Sequence, residues 1–199
     1  GFPKEWQNVH FVANPITGKI NSVSYSRDKL GNFKFKKLQD FVSSTDKMFR
    51  PICVTFGPDG CLYIADWYNK IISHNEVSNN HPARDKTRGR IWRVRHKSQS
   101  PIVPDVLQAA NPELIKHLQS GNIWEMRAAW HQIADRQTKE LIPDLYNIIN
   151  NSSDASIKIH AIWALTDLKA FNINIWKKLL VDPNENIRYE AIRSFSSIQ

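Results

Sequence analysis

Residues 49–75 read FRPICVTFGPDGCLYIADWYNKIISHN, and the reading of this stretch decides the fold of everything before residue 100. Two apolar runs, Ile52–Phe56 and Leu62–Trp67, flank Gly57-Pro58-Asp59-Gly60. Alternating apolar residues on either side of a Pro-Asp-Gly turn predict an antiparallel hairpin. The four turn residues satisfy turn geometry and need no further role. Cys53 and Cys61 sit one in each run. A two-residue turn puts them on opposite faces of the hairpin. A three-residue loop puts them on one face but four residues apart, roughly 13 Å at the strand rise. Neither arrangement permits a disulfide, so the cysteines leave the redox compartment open, and no C-x-x-C or C-x-x-C-H haem pattern occurs.

Outward from the hairpin, period-two segments recur at Val9–Ala13, Ile20–Ser26, Phe33–Phe41 and Arg90–Arg95, separated by the turn-forming NPITGK and RDKLGN. Near residue 100 the period changes to 3.6. Asn111 reads as an N-cap with Pro112 at the first helical position, and Asn122 with Glu125 three residues on reads as a capping box. Asp182, Pro183 and Glu185 repeat the device. Six helices in three hairpins are predicted: about 112–119 with 123–135, 139–150 with 154–168, and 173–181 with 183–198. The hairpins are copies, because Met126-Arg127, Ile157-Lys158 and Ile187-Arg188 fall at spacings of 31 and 30. Trp130/Ala161/Ala191 and Ala134/Leu165/Phe195 follow in frame as core positions. This periodicity looks like HEAT repeats. Residues 98–110, polar and with two prolines, read as a linker. The fold class is therefore α+β multidomain, with antiparallel β over residues 1–97 and helical repeats over 111–199.

The charge follows the same division. Of the 27 Lys/Arg and 19 Asp/Glu, residues 1–100 hold 17 and 8, and the remainder hold 10 and 11. The basic stretch RDKTRGRIWRVRHK, Arg84–Lys97, reads as a strand among solvated arginines; no nucleic-acid motif accompanies it, so no nucleic-acid partner is expected. No apolar run approaches the roughly 18 residues of a membrane span, and the opening residues lack a signal-peptide pattern.

The residues G-P-D-G-x-L-Y-I-A-D-W-Y-N at 57–69, with Phe49-Arg50-Pro51, Ile72, His74, Arg84-Asp85 and Gly89-Arg90-Ile91, resemble a blade of a six-bladed β-propeller. Within such propellers they are similar to the glucose/sorbosone dehydrogenase-like family, in particular the large membrane-bound dehydrogenases of planctomycete and related bacteria. In those proteins a propeller runs into HEAT-like repeats and often ends in a c-type haem domain. The resemblance implies a periplasmic or otherwise exported quinoprotein, an oxidoreductase acting on a sugar or polyol with pyrroloquinoline quinone and calcium. Six or seven strands make fewer than two four-stranded blades. The chain thus reads as a partial propeller, the C-terminal part of a longer protein, with the proton-abstracting His of the relatives in blades before Gly1. Asn69-Lys70 stands where the family has Asn-Pro, Ser73-His74 where it has Gly-His, and Arg88 where it often has His. No haem motif follows the repeats. The alternative is a non-catalytic propeller and HEAT-repeat scaffold whose helices dock a protein.

The excursion from Trp67 to Gly89 is too long for a blade turn, and long polar loops are usually functional. Asp66, His74, Arg84 and Asp85 on it are the candidate ligand-contacting residues, since a carboxylate, an imidazole and a guanidinium together orient a hydroxyl. The structural alternative has Asp66 and Arg84 tie the excursion down through a salt bridge, with His74 packing. His81, His96, His117, His131 and His160 lack H-x-x-x-H spacing, which gives no metal site. His160 reads as a polar spacer on a helix face, and Trp124, Trp130, Trp163 and Trp176 read as core.

Overall fold

The computed structural model describes residues 2–6, 9–73 and 76–196. The chain forms two compact units that divide between Ile102 and Val103. Among the described residues it is α+β, with seven strands, all in the first unit, and six α-helices, all in the second.

The first unit holds two antiparallel sheets. One is built from β1 (Val9–Asn14), β2 (Lys19–Arg27) and β3 (Phe33–Lys37), with the two-residue β4 (Val42–Ser43) also paired to β2. The other is β5 (Pro51–Phe56), β6 (Leu62–Asp66) and β7 (Arg90–Val94) in that order. The sheets do not close into a barrel among the described residues. The segment expected as one strand from Phe33 to Phe41 ends at Lys37; Asp40 then turns inward, accepting from Lys19 Nζ and Asn21 Nδ2, both at 2.7 Å.

In the β5–β6 hairpin Phe56 pairs with Leu62, and Gly57 N–H donates to the Cys61 carbonyl at 2.9 Å, leaving a three-residue loop, Pro58-Asp59-Gly60. Gly60 sits at φ +70°, a backbone that β-branched residues resist. Gly57 is required for a different reason: a Cβ there would overlap the Tyr63 ring. Both cysteines are free, Cys53 exposed and Cys61 buried. Ile20, Phe49 and Ile64 form the buried centre of this unit, ringed by Phe11, Phe41, Val42, Val54 and Val94.

The second unit contains α1 (Asn111–Leu118), α2 (Ile123–Arg136), α3 (Ile142–Asn151), α4 (Ala155–Asp167), α5 (Ile173–Leu179) and α6 (Glu185–Ser196). They pair as α1 with α2, α3 with α4 and α5 with α6, while α2 packs on α4 and α4 on α6. Apolar residues at helical spacing drive this: Met126, Ala129 and Ile133 on α2, and Ala161, Ile162, Ala164 and Leu165 on α4, are all buried. Of the in-frame core positions, Ala161, Leu165 and Ala191 are buried, but Phe195 is 48% exposed. The boundary residues also differ from the expected linker. Val106 and Ala109 are buried in the helical core, and Arg136 Nη atoms donate to the Leu107 and Ala109 carbonyls at 2.7 Å.

The caps follow the expected chemistry with shifted residues. Asn122, Asp154 and Asn172 accept from N–H groups of the helices they precede. Asn111, however, is the first helical residue rather than the cap; Glu113 reaches back to the Ala110 N–H at 2.9 Å, and Asn111 bonds Glu140 at 2.7 Å. Glu125 accepts from Ser120 Oγ and bonds His117 Nδ1, both at 2.6 Å. At α6 the capping side chain is Asn184, which accepts from Asn186 N at 2.9 Å; Asp182 accepts from Asn184 N instead. Among the described residues no helix is long and apolar enough to cross a membrane.

Candidate functional site

The long excursion leaves and returns at one point, because Asp66 and Arg90 are ladder partners of β6 and β7. The Asp66 side chain is fully buried there. Its Oδ1 accepts from Arg50 N at 2.8 Å and Tyr68 N at 2.9 Å. Its Oδ2 accepts from Arg90 Nε at 2.8 Å and Trp92 Nε1 at 2.9 Å. Burial alone would push this carboxyl up; the backbone bond from Arg50 and the Trp92, Tyr68 and Arg90 bonds outweigh it and hold the group below its ordinary value. Arg90 also pairs with Asp46 at 2.8 Å and lies 4.2 Å over the Tyr68 ring. Tyr68 takes a left-handed backbone, φ 54°, and its N–H bond to Asp66 stabilises that turn.

Further along, Asn69 is buried and clips the two arms together, donating to the Asp85 carbonyl at 2.8 Å and accepting from Ile71 N at 3.1 Å. Arg84 donates to the carbonyls of Ser73, Val77 and Ser78 at 2.6, 2.8 and 3.0 Å. Asp85 closes a tight turn: Thr87 N, Thr87 Oγ1 and Arg88 N reach Oδ1, and Arg88 Nε reaches Oδ2 at 2.6 Å. The salt bridge that anchors the excursion is therefore Asp66–Arg90, not Asp66–Arg84. His74 lies outside the described residues.

Calcium takes six to eight oxygen ligands, and the carboxylates of Asp66 and Asp85 already accept from four donors each. Among the described residues no three His, Cys, Asp or Glu side chains gather as a metal set. The candidate residues among those described thus do not fit calcium.

Asp59 has a role that its turn position conceals. It is 5% exposed and accepts from Cys61 N at 3.0 Å, Tyr63 Oη at 3.0 Å and Arg93 Nε at 2.7 Å. Burial opposes its charge, but these bonds prevail and bring the carboxyl to about 2. The adjoining Cys61 thiol is pushed up, by burial first and by Asp59 second, which makes it a poor nucleophile. The basic strand is accordingly less free than it reads: Arg88, Arg90 and Arg93 each face a carboxylate.

In the helical unit, α2, α4 and α6 enclose a groove of about 500 Å³ lined by Arg127, Trp130, His131, Trp163, Glu190 and Arg193, among others. Trp130 and Trp163 face each other at 4.8 Å, and His131 stacks on Trp130 at 4.5 Å. Each indole N–H is held by the next hairpin: Trp130 donates to Asp167 and Trp163 to Glu190, both at 2.7 Å. Trp176 is core as expected, but Trp130 and Trp163 are half-buried groove walls. Arg127, on the same helix as Trp130, is the sequence sign of a wet surface there, whereas Arg193 joins the groove only from α6. His160 is no spacer; it is buried, with Nδ1–H donating to the Ser156 carbonyl at 2.7 Å and Nε2 unpartnered.

Residues 1–98 match the family model of a domain of unknown function, DUF7133, which spans nearly the whole β unit and ends before the helices. No curated protein and no solved structure matches the chain.

Proposed function

We propose that the chain is a binding scaffold: a β unit of propeller-blade type followed by a HEAT-like docking module, with the groove of α2, α4 and α6 as the docking surface. The observation that carries this reading is the Trp130–Trp163 pair, held open to solvent in the groove by indole bonds to Asp167 and Glu190. Aromatic faces beside arginines are the usual anchors of protein interfaces. In the β unit, by contrast, Asp66, Arg84 and Asp85 are taken up by bonds within the chain. The longer protein that the propeller resemblance implies is a quinone-dependent sugar or polyol dehydrogenase of the periplasm. In that protein this chain supplies blade scaffold and docking, and pyrroloquinoline quinone and calcium are held by other residues.

The test has two arms. Incubated with sugars or polyols, pyrroloquinoline quinone, calcium and a redox dye, the chain is expected to reduce no more dye than a heat-denatured control; turnover overturns the scaffold reading. A photo-cross-linking residue in place of His131 is expected to capture one partner protein, lost in the Trp130→Ala/Trp163→Ala variant. Capture that survives this double substitution moves docking away from the groove.

A further inference from the structure

The edge of the first sheet carries a feature that neither the excursion nor the groove uses. β3, Phe33-Lys34-Phe35-Lys36-Lys37, is exposed along its whole length and, among the described residues, has β2 as its only ladder neighbour. Its register follows from two observations: Lys36 pairs with Ser24 and Lys34 with Ser26, and Leu38 N–H donates to the Ser22 carbonyl at 2.9 Å. In an antiparallel ladder the hydrogen-bonding residues alternate. Lys34 and Lys36 therefore bond to β2, and the N–H and C=O groups of Phe33, Phe35 and Lys37 point away from it, to the open edge. The side chains sort by the same alternation. Phe33 and Phe35 stand on one face, 6.0 Å apart and stacked, and continue into Tyr25 at 5.7 Å and His10 at 4.9 Å from Tyr25. Arg27 lies over Phe33 at 4.3 Å. Lys34 and Lys36 stand on the other face, with no carboxylate partner among the described residues.

We infer that this edge accepts an extended acidic peptide as an additional strand, its alternate apolar side chains on the Phe33–Phe35–Tyr25 face and its carboxylates over Lys34 and Lys36. An open row of backbone donors and acceptors is a template for strand addition, and side chains on alternate faces set its specificity. Charge selects the occupant. A second copy of β3 paired antiparallel about Phe35 places Lys34 opposite Lys36, and like charges directly opposite are destabilising. An acidic strand reverses that sign, in the unit that carries the basic excess of the chain, 17 Lys/Arg against 8 Asp/Glu over residues 1–100.

The probe is an acetylated, amidated peptide of alternating pattern, Glu-Val-Asp-Val-Glu-Val-Asp, titrated into the full chain by calorimetry. Saturable binding is expected. Methylating the peptide nitrogens on the residues that face the edge is expected to abolish it, because only the backbone bonds change. Lys34→Glu/Lys36→Glu lowers affinity by at least about tenfold and creates binding to the corresponding Lys-Val peptide. Phe35→Pro weakens binding of the acidic peptide yet leaves the melting temperature nearly unchanged, since the N–H it removes takes no part in the β2 ladder. Equal binding of the methylated peptide, or full affinity after charge reversal, overturns the proposal. So does sedimentation showing that the chain dimerises through this edge, or tighter binding of a short oligothymidylate at the same face.

Discussion

The two units of this chain hold themselves together in different ways. Among the described residues the helical unit buries nineteen hydrophobic side chains in one cluster, whereas the β unit buries three between its sheets. The β unit makes up the difference with carboxylates. Asp59 and Asp66 are buried, each ringed by several donors and each paired with a distant arginine of β7. The difference teaches that a small sheet with little apolar interior draws its specificity from a few charged hubs. Such hubs cost far more to lose than to replace in kind. A helical stack distributes its stability over many methyl groups.

The sharpest contrast comes from removing one member of each device. Asp66→Ala leaves Trp92 Nε1 and the Arg50 and Tyr68 N–H groups without their acceptor, and is expected to cost the β unit about 4 kcal/mol. Leu145→Ala, at a fully buried helical position, is expected to cost the other unit about 3 kcal/mol through its cavity. Peptide-resolved hydrogen exchange reads both. Each substitution should raise exchange in its own unit and spare the other, and a loss shared equally by the two units would remove the contrast between them.

A smaller effect isolates the turn from the hub that it carries. Gly60→Val forces a β-branched residue into φ +70° and is expected to destabilise the β unit by about 2 kcal/mol while Asp59 keeps its partners. Thermal unfolding followed in the infrared β band measures it, and an unchanged midpoint would refute the strain argument.

The smallest effect separates the units by pH. The Asp59 carboxyl lies lower in the folded chain than its ordinary 3.8, at about 2. The stability it contributes is fully present above about pH 4 and lost as the pH falls toward about 2. Asp66 shifts in the same direction. In the helical unit, His160 is the sensitive group. Burial foremost lowers it from 6.5 and outweighs the Ser156 carbonyl bond, which raises it; a second proton, on Nε2, would find no acceptor. A lowered histidine contributes stability above about pH 6.5 that is lost as the pH falls below it, by no more than about 1.4 kcal/mol per pH unit. The helical band in circular dichroism is therefore expected to weaken toward denaturant at a higher pH than the infrared β band, and His160→Leu should remove that early slope. Coincident pH profiles for both bands would contradict it.

The same contrast governs how much could be read from residue order. Strands, helices and most turns are legible because their causes are local. Gly60 needs its positive φ whatever surrounds it, Asn122 caps the helix that begins beside it, and period two or 3.6 survives any tertiary arrangement. Cap assignments slip by one or two residues where a side chain finds a better partner elsewhere, as Asn111 does in Glu140 and Arg136. The candidate site is different in kind. Asp66 is recognisable as important from the run that ends on it, but its partners Arg90 and Trp92 lie beyond a loop of more than twenty residues and meet it through ladder register. Asp59 reads as a turn residue because its arginine is 34 positions away. Trp130 and Trp163 read as core because composition records apolar area and not which side of a helix a neighbouring hairpin leaves open. Short-range sterics and hydrogen-bond geometry write the elements into the sequence. Pairing across strands and stacking of one hairpin on the next decide which charges are buried, and which aromatic faces remain for a partner.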